Sequence, residues 1–356
     1  MPATATHIPW WAWTWPVLAC AVLLATLFGA SGVWMAAAAG AVLIATVFAA
    51  VYHAEVVAHR TGEPFGTLVL ALAVTVIEAA LIVSVMLAAP TEKMGLARDT
   101  VFAAVMIVCN GIVGICLLWG GARHHEQGFQ VSGASAALAI LAALTTLTLI
   151  LPNLVGSSGP VFNTSQLIFA AIVSLVLYGA FVFIQTVRHR DYFLDDKEEH
   201  AATPSNNVAL TSAGLLLAAL VAIVGLAKFL TPTVEAGLAR IAVPKAVVGI
   251  VIAALVLLPE GLAALRAARA NRLQTSLNLA LGSALATIGL TIPAVAFVSI
   301  AIHQPLELGL GQKDTVLLAL TLFVGVITLG TGRTTVLQGI VHLVIFAAFL
   351  FFAVVP

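Results

Sequence analysis

Long apolar stretches separated by short polar segments account for nearly all of the chain. Eleven of them are long enough to cross about 30 Å of hydrocarbon as helices. They are predicted near residues 10–29, 33–58, 64–90, 98–120, 131–151, 164–187, 208–231, 243–268, 274–302, 313–331 and 334–355. The pattern predicts an all-α polytopic membrane protein, whose backbone hydrogen bonds are satisfied within each helix.

One long polar segment interrupts this pattern, and we predict an acidic aqueous loop at residues 189–207. Its acidic residues are Asp191, Asp195, Asp196, Glu198 and Glu199. Residues 1–30 then form an extra N-terminal transmembrane helix, followed by five-helix repeats at 31–188 and 208–356. Because each repeat has an odd number of spans, the second is predicted to be inverted relative to the first. Inverted repeats are typical of transporters that work by alternating access.

Basic residues are distributed unevenly between the two predicted sides of the membrane. The side of the N-terminus carries Arg60, Arg123, Arg188, Arg190, Lys197, Arg266, Arg269, Arg272 and Arg333. The other side carries Lys93, Arg98, Lys228, Arg240, Lys245 and Lys313. The positive-inside rule therefore favours a cytoplasmic N-terminus and an external C-terminus, with the acidic loop in the cytoplasm.

The composition agrees with a lipid environment and excludes one class of partner. Hydrophobic residues make up 62% of the 356 positions and charged residues 8%, with a formal net charge of +0. No basic face exists that could neutralise a row of phosphates, so nucleic acid is not an expected partner. Membrane lipid is the expected surrounding, and both a monomer and a homo-oligomer are compatible with the sequence.

A carboxylate in the middle of a predicted span requires an explanation. Glu78 is separated from Glu63 and Glu92 by about 21 Å of helix on either side. A charge at that depth costs several kcal/mol unless it is protonated, paired or bound to a cation. Glu78 is therefore a candidate cation and proton ligand, the alternative being a permanently neutral, hydrogen-bonded side chain.

A second intramembrane carboxylate, Glu260, lies between Pro259 and Gly261. Proline removes a backbone donor and clashes with the preceding turn, so we expect the helix to break or kink there. Freed backbone carbonyls beside a carboxylate can coordinate a cation. The alternative is a simple proline kink with an incidental glutamate.

Two carboxylates with neutral oxygens suit hard cations such as Ca²⁺ or Na⁺, and the same carboxylates can hold protons. Competition between cation and proton at a site open to one side at a time would couple their movements. Two further polar residues lie within apolar stretches. Asn110 is flanked by Gly111 and Gly114, which would allow close helix packing and an interhelical hydrogen bond. For His342, interhelical hydrogen bonding is favoured over a proton relay.

The residues around both glutamates resemble a known family. The segment from Gly62 to Glu78, Gly-Glu-Pro-Phe-Gly-Thr-Leu-Val-Leu-Ala-Leu-Ala-Val-Thr-Val-Ile-Glu, resembles the first signature repeat of the calcium/proton antiporters in the cation/calcium exchanger superfamily, particularly the bacterial ChaA-type branch. In the second half, Leu257-Leu-Pro-Glu260, Asn271 and Leu281-Gly-Ser-Ala284 keep the spacing of the second signature. The signature regions fall at about 62–90 and 243–290, and the resemblance covers nearly the whole chain.

The resemblance implies a set of cation ligands. The two essential glutamates of the family correspond to Glu78 and Glu260, and a helix-borne asparagine corresponds to Asn110. Thr75 and Ser283 correspond to positions at which the family has side chains with oxygen atoms. No cofactor is implied, and the transported ions would be Ca²⁺, Na⁺, K⁺ and H⁺.

Departures from the family pattern reduce the number of oxygen ligands. Thr75 and Leu257 stand where the family has asparagine amides, and Ala286 stands where a glutamine is expected. Cys109 replaces a serine before Asn110. These changes argue against a high-affinity site that binds calcium alone, and they favour Na⁺ or K⁺ as additional substrates.

The sequence predicts an antiporter in an inner (plasma) membrane of bacterial type. An intramembrane enzyme and a passive cation channel are the alternatives. The chain has no His-Glu-x-x-His or Gly-x-Ser-x-Gly motif and no aspartate in the interior of a predicted span, which argues against an intramembrane enzyme. A passive cation channel remains the alternative, although no Thr-Val-Gly-Tyr-Gly filter sequence is present.

Overall fold

Helices dominate the computed structural model, which describes residues 8–62, 65–88, 94–155, 159–193, 204–240 and 245–355. The α-helices are α1 (Trp10–Leu27), α2 (Val33–Thr61), α3 (Phe65–Ala88), α4 (Leu96–Met106), α5 (Val113–His124), α6 (Val131–Thr145), α7 (Pro152–Val155), α8 (Thr164–Phe183), α9 (Asn206–Arg240), α10 (Lys245–Arg269), α11 (Leu273–Ala286), α12 (Ile292–Ala301), α13 (Gln312–Leu329) and α14 (Val336–Val354). Four π-helical segments continue these helices: π1 (Ile107–Ile112), π2 (Thr146–Ile150), π3 (Ile184–Arg188) and π4 (Thr287–Thr291).

Among the described residues, ten helical stretches are long and apolar enough to cross a membrane. Some comprise several segments: α4, π1 and α5 form one stretch from Leu96 to His124, and α11, π4 and α12 form one from Leu273 to Ala301. In addition, α3 has 24 residues, which corresponds to about 36 Å of helix. The prediction of an all-α polytopic membrane protein is confirmed.

The chain divides into two compact units, each built from two separate stretches of the sequence. The first comprises Met1–Lys93 and Glu199–Val243, and the second comprises Met94–Glu198 and Pro244–Pro356. Each unit therefore takes helices from both halves of the sequence. The proposed repeats at 31–188 and 208–356 stay a prediction, as does most of the acidic loop, because residues 194–203 lie outside the described part of the chain.

Within its described residues, the first unit contains the helices α1, α2, α3 and α9. They pack mainly through apolar side chains, and α1 also receives hydrogen bonds on its backbone. His53 of α2 is fully buried, and its Nε2 lies 2.9 Å from the carbonyl oxygen of Ala12. This bond satisfies a ring nitrogen that would otherwise be costly in an apolar interior.

In the second unit, α14 packs closely against α5. A Cβ atom added at Gly339 would lie 2.4 Å from the backbone nitrogen of Leu118 and 2.9 Å from the carbonyl oxygen of Gly114. Glycine is therefore required at this position for the two backbones to approach each other, as is common between membrane helices.

Short loop pairings occur at both ends of the second unit. At one end, β1 (Gln127–Gly128) pairs antiparallel with β2 (Arg333–Thr334). At the other, Val161 forms an isolated antiparallel bridge with Glu307. The side chain of Glu307 also forms a salt bridge with Arg98 at the start of α4.

Candidate cation site

Glu78 is buried within the first unit. Its side chain is 2% exposed, and Thr75, three residues earlier on the same face of α3, is 5% exposed. Ile77 and Ile82 beside them are also buried, whereas Val76 is 39% exposed. The carboxylate and the hydroxyl therefore lie on the inward face of α3, next to α2 and α9.

Glu260 lies in the middle of α10 in the second unit, where it is half-buried. Of the break or kink expected at Pro259, a break does not occur: α10 runs without interruption from Lys245 to Arg269. Proline costs the helix one backbone hydrogen bond, and packing of α10 against α4, α5 and α11 keeps the segment helical. Backbone carbonyls freed by a helix break thus do not supply the ligands that sequence reasoning expected there.

Irregular backbone occurs instead in the helices that follow the two glutamate helices. Asn110 lies in π1 and Thr287 in π4. Gly261, next to Glu260, faces π1: a Cβ atom there would lie 3.1 Å from Cδ1 of Ile112. Within the second unit, the backbone beside Glu260 therefore packs against the π-helical segment that carries Asn110. Such π-helical turns are found frequently at functional sites.

The amide of Asn110 is fully buried and hydrogen-bonded at both ends. Its Nδ2 atom donates to Thr321 Oγ1 at 2.8 Å, and its Oδ1 atom lies 3.1 Å from His342 Nδ1. The other ring nitrogen of His342 lies 3.2 Å from Thr328 Oγ1. Asn110 and His342 thus make the interhelical hydrogen bonds that the sequence indicates for them. The role of Asn110 as a cation ligand stays a prediction.

Sequence reasoning missed Thr321 and Thr328, the partners of this buried amide and ring. Both lie on α13, seven residues apart and therefore on one face of the helix. A pair of threonines with this spacing in an apolar span was the available signal. Nothing local in the sequence indicated which polar residues they would meet.

Ser283 is half-buried on α11. Three residues later, Ala286 is 6% exposed and occupies the position where the family pattern has glutamine. The next residue, Thr287, is 2% exposed and begins π4. The buried hydroxyl of Thr287, which the sequence analysis did not predict as a ligand, thus lies next to Ala286, where the family resemblance implies a glutamine.

The asparagine of the second signature ends a helix. Asn271 adopts φ +58° just after α10, and its Oδ1 atom accepts a hydrogen bond from Gln127 Nε2 at 3.0 Å. Asparagine tolerates this left-handed conformation better than most residues. Its position, eleven residues after Glu260, corresponds to about 16 Å of helix, so it does not contribute to a site at that carboxylate.

In the described part of the chain, no three His, Cys, Asp or Glu side chains are grouped so that they could hold a metal ion. The available oxygen donors are single carboxylates with nearby hydroxyl and amide groups. This donor chemistry suits hard cations bound with few charged ligands.

Comparison with known proteins identifies the family. The model of the sodium/calcium exchanger protein family matches residues 31–187 and 211–355. The chain belongs to this family. As a member, the exchanger is an integral multi-pass membrane protein and a secondary transporter, not an enzyme.

Two curated relatives match most of the exchanger. A putative ionic transporter, y4hA, of Sinorhizobium fredii is 49% identical over 360 residues, which cover 99% of this chain and 98% of the relative. The sodium-potassium/proton antiporter ChaA of Escherichia coli is 37% identical over 318 residues, covering 86% of this chain and 85% of ChaA. The resemblance to the ChaA-type branch is therefore confirmed.

Solved structures share the fold of the exchanger. Native YfkE superposes with a TM-score of 0.73 at 16% identity, covering 97% of this chain and 100% of YfkE. An H⁺/Ca²⁺ exchanger, CAX, has a TM-score of 0.72 at 14% identity, covering 96% of this chain and 88% of CAX. At these identities the likeness concerns the fold alone.

Proposed function

We propose that this exchanger is a cation/proton antiporter that exports Ca²⁺, Na⁺ or K⁺ in exchange for H⁺ by alternating access. In this proposal, Glu78 and Glu260 bind the cation and the proton competitively, and Thr75, Asn110 and Ser283 supply neutral oxygen ligands. The ions are substrates, and no cofactor takes part.

The burial of Glu78 carries the proposal. A carboxylate that is 2% exposed inside an all-helical membrane protein is expensive unless it is protonated, paired or bound to a cation. An antiporter needs a group that alternates between these two states, so the cost of the unoccupied carboxylate enforces the exchange. The name of ChaA, a sodium-potassium/proton antiporter, supports Na⁺ and K⁺ among the proposed ions.

The lean donor set supports monovalent cations as substrates beside calcium. Calcium prefers six to eight oxygen ligands, whereas the family resemblance implies that Thr75, Leu257 and Ala286 stand in place of amide side chains. Thr287 adds one buried hydroxyl next to Ala286 and restores part of the loss.

Two observations support the proposed inverted repeats at 31–188 and 208–356. The segments π1 and π4 both lie in the third span of their half. The loop pairings correspond as well: residue 127, between spans three and four of the first half, pairs with residue 334, between spans four and five of the second. The bridge between Val161 and Glu307 shows the same correspondence with the halves exchanged. Val161 lies between spans four and five of the first half, and Glu307 lies between spans three and four of the second.

We place the exchanger in a bacterial inner (plasma) membrane, with a cytoplasmic N-terminus and an external C-terminus, on the basis of the excess of arginine and lysine on one side. A C-terminal fusion to alkaline phosphatase tests the orientation, because this enzyme is active only outside the cytoplasm. An active fusion is expected, and an inactive fusion with normal expression would reverse the orientation.

Transport by the purified protein tests the function. Liposomes that enclose a pH-sensitive dye and carry a pH gradient receive Ca²⁺, Na⁺ or K⁺ separately. For Na⁺ and Ca²⁺, the membrane potential is held at zero with K⁺ and valinomycin. The antiporter is expected to move protons against their gradient when a cation gradient drives it.

The same experiment separates an antiporter from a passive cation channel. A channel conducts cations without moving protons uphill at zero potential. Uphill proton movement therefore excludes the channel, and its absence with every cation, in vesicles shown to contain folded protein, would refute the antiporter.

A further inference from the structure

The direction of each hydrogen bond around Asn110 can be derived from the available hydrogens. Thr321 Oγ1 has one hydrogen, and two acceptors other than Asn110 lie within reach of it: the carbonyl oxygen of Leu317 at 2.8 Å and the Sδ atom of Met106 at 3.4 Å. Toward Asn110, at 2.8 Å, the hydroxyl must therefore accept. This places the amide NH₂ of Asn110 on the side of Thr321 and its oxygen on the side of His342.

The orientation of the amide in turn determines the tautomer of His342. The Oδ1 atom of Asn110 can only accept, so Nδ1 of the ring, 3.1 Å away, must carry a hydrogen. In the neutral ring, Nε2 is then an acceptor and receives the hydroxyl hydrogen of Thr328 at 3.2 Å.

All four side chains are secluded from solvent and lipid. Asn110 is 0% exposed, and His342, Thr321 and Thr328 are exposed by at most 4%. A buried network in which every donor has an acceptor holds its members in one arrangement, because any rotation leaves a polar group unsatisfied. His342 is thus a buried titratable side chain whose two described bonds link Asn110 to Thr328 of α13.

An asparagine amide has one end that can bind a cation and one end that repels it. Only the oxygen coordinates Na⁺, K⁺ or Ca²⁺, and it has two lone pairs, of which the bond from His342 uses one. A rotation of the amide by half a turn would exchange this oxygen for the NH₂ group. The bonds from His342 and to Thr321 exclude that rotation.

We propose that His342 is a positioning residue for cation binding, which donates its Nδ1 hydrogen to Asn110 and thereby keeps the amide oxygen in the orientation that a cation requires. This inference rests on the proposed function of Asn110 as a cation ligand. It assigns His342 no contact with the transported ion.

Three substitutions of His342 separate hydrogen-bond donation from packing. The amide nitrogen of asparagine can replace Nδ1, so His342→Asn keeps the donor toward Asn110. In His342→Gln the longer side chain places its amide near the position of Nε2, and His342→Leu has no donor. If only packing mattered, asparagine, the smallest of the three, would be the most harmful.

We expect the apparent KM for Na⁺ in the liposome assay to rise about five- to tenfold in His342→Gln and His342→Leu, the effect of one lost buried hydrogen bond. His342→Asn should stay within about twofold of wild type. His303→Asn, at an exposed loop position, is the control and should leave KM unchanged. An order of effects that follows side-chain volume, or an unchanged KM in all three variants, would overturn the inference.

A second measurement does not depend on transport. In ¹⁵N-histidine-labelled protein, NMR should show a neutral, Nδ1-protonated ring that disappears from the spectrum of a folded His342 variant. A ring protonated at Nε2 alone would overturn the inference even if exchange is intact. If wild-type protein does not exchange cations for protons, the proposed function fails, whereas the tautomer still decides whether His342 holds Asn110.

Discussion

The two compact units differ in how their helices are held together. In the first, the described side-chain bonds between helices end on backbone carbonyls, such as the bond from His53 to Ala12. In the second, side chains bind side chains across helices, as Asn110 does with Thr321 and His342, and loop pairings occur at both ends. Directional bonds between side chains restrict sliding more than apolar contacts do. Among the described residues, the second unit is therefore the one in which bonds between side chains specify the helix packing.

The largest effect on ion exchange is expected from substitution of the intramembrane carboxylates, Glu78 in the first unit and Glu260 in the second. Glu78→Gln and Glu260→Gln should each reduce exchange in liposomes by more than about 100-fold, because an amide keeps the shape but cannot take up and release a proton. The melting temperature should change little, since the amide removes a buried acid without leaving a cavity.

Glu126→Gln is the matched control for both variants. This glutamate is half exposed in a loop, so its amide should exchange like wild type. Activity that survives Glu78→Gln or Glu260→Gln would remove that carboxylate from the mechanism.

The close packing of α14 against α5 predicts the next largest effect. Gly339→Ala would bring a Cβ atom to 2.4 Å from a backbone nitrogen, and we expect a loss of about 3 kcal/mol in the free energy of unfolding. Thermal unfolding in detergent measures the loss. Gly179→Ala on α8, where no atom lies within 4 Å of the new Cβ atom, should be neutral or slightly stabilising; equal stabilities for the two variants would show that the close approach is not required.

The two ends of the second unit are expected to respond differently to loss of a salt bridge. Arg98 binds Asp99 and Glu307, whose side chains are 18% and 31% exposed. Arg98→Leu leaves both acids without this partner and should cost about 2 kcal/mol. Arg333→Leu, at the opposite end, breaks a bridge to Glu126 between side chains that are 76% and 50% exposed, and should cost less than about 0.5 kcal/mol.

Chemical unfolding of these two variants checks the contrast. A double-mutant cycle with Glu307→Gln isolates the contribution of the pair formed with Arg98. Similar losses for Arg98→Leu and Arg333→Leu would contradict the distinction between a partly buried and an exposed bridge.

In the first unit, the expected effect is smaller than that of Arg98→Leu in the second. His53→Leu keeps most of the side-chain volume but leaves the carbonyl oxygen of Ala12 without its hydrogen bond, which should cost about 1 kcal/mol. His59→Leu, at an exposed position of the same helix, serves as the control in the same unfolding assay. A larger loss from His53→Leu than from Gly339→Ala would reverse the comparison of the two units.

The sequence by itself determined the spans and the positions of the two acids along them. The predicted span 164–187 corresponds to a helix that runs from Thr164 to Arg188, and Glu78 lies within α3 as expected. These features follow from local physics: an apolar run of sufficient length must form a helix in lipid, and a charge inside it is costly wherever the rest of the chain lies.

Only the tertiary structure decided which helices form each unit and which side chains meet. Asn110 is 211 residues from Thr321 and 232 from His342 in the sequence, and no local pattern encodes such pairs. The uninterrupted course of α10 through Pro259 depends in the same way on its neighbours, because packing outweighs the one backbone bond that proline removes. The hydrophobic pattern along the sequence depends on the free-energy cost of exposing each segment to water or lipid. Which helices and side chains contact each other depends instead on segments that are distant along the chain.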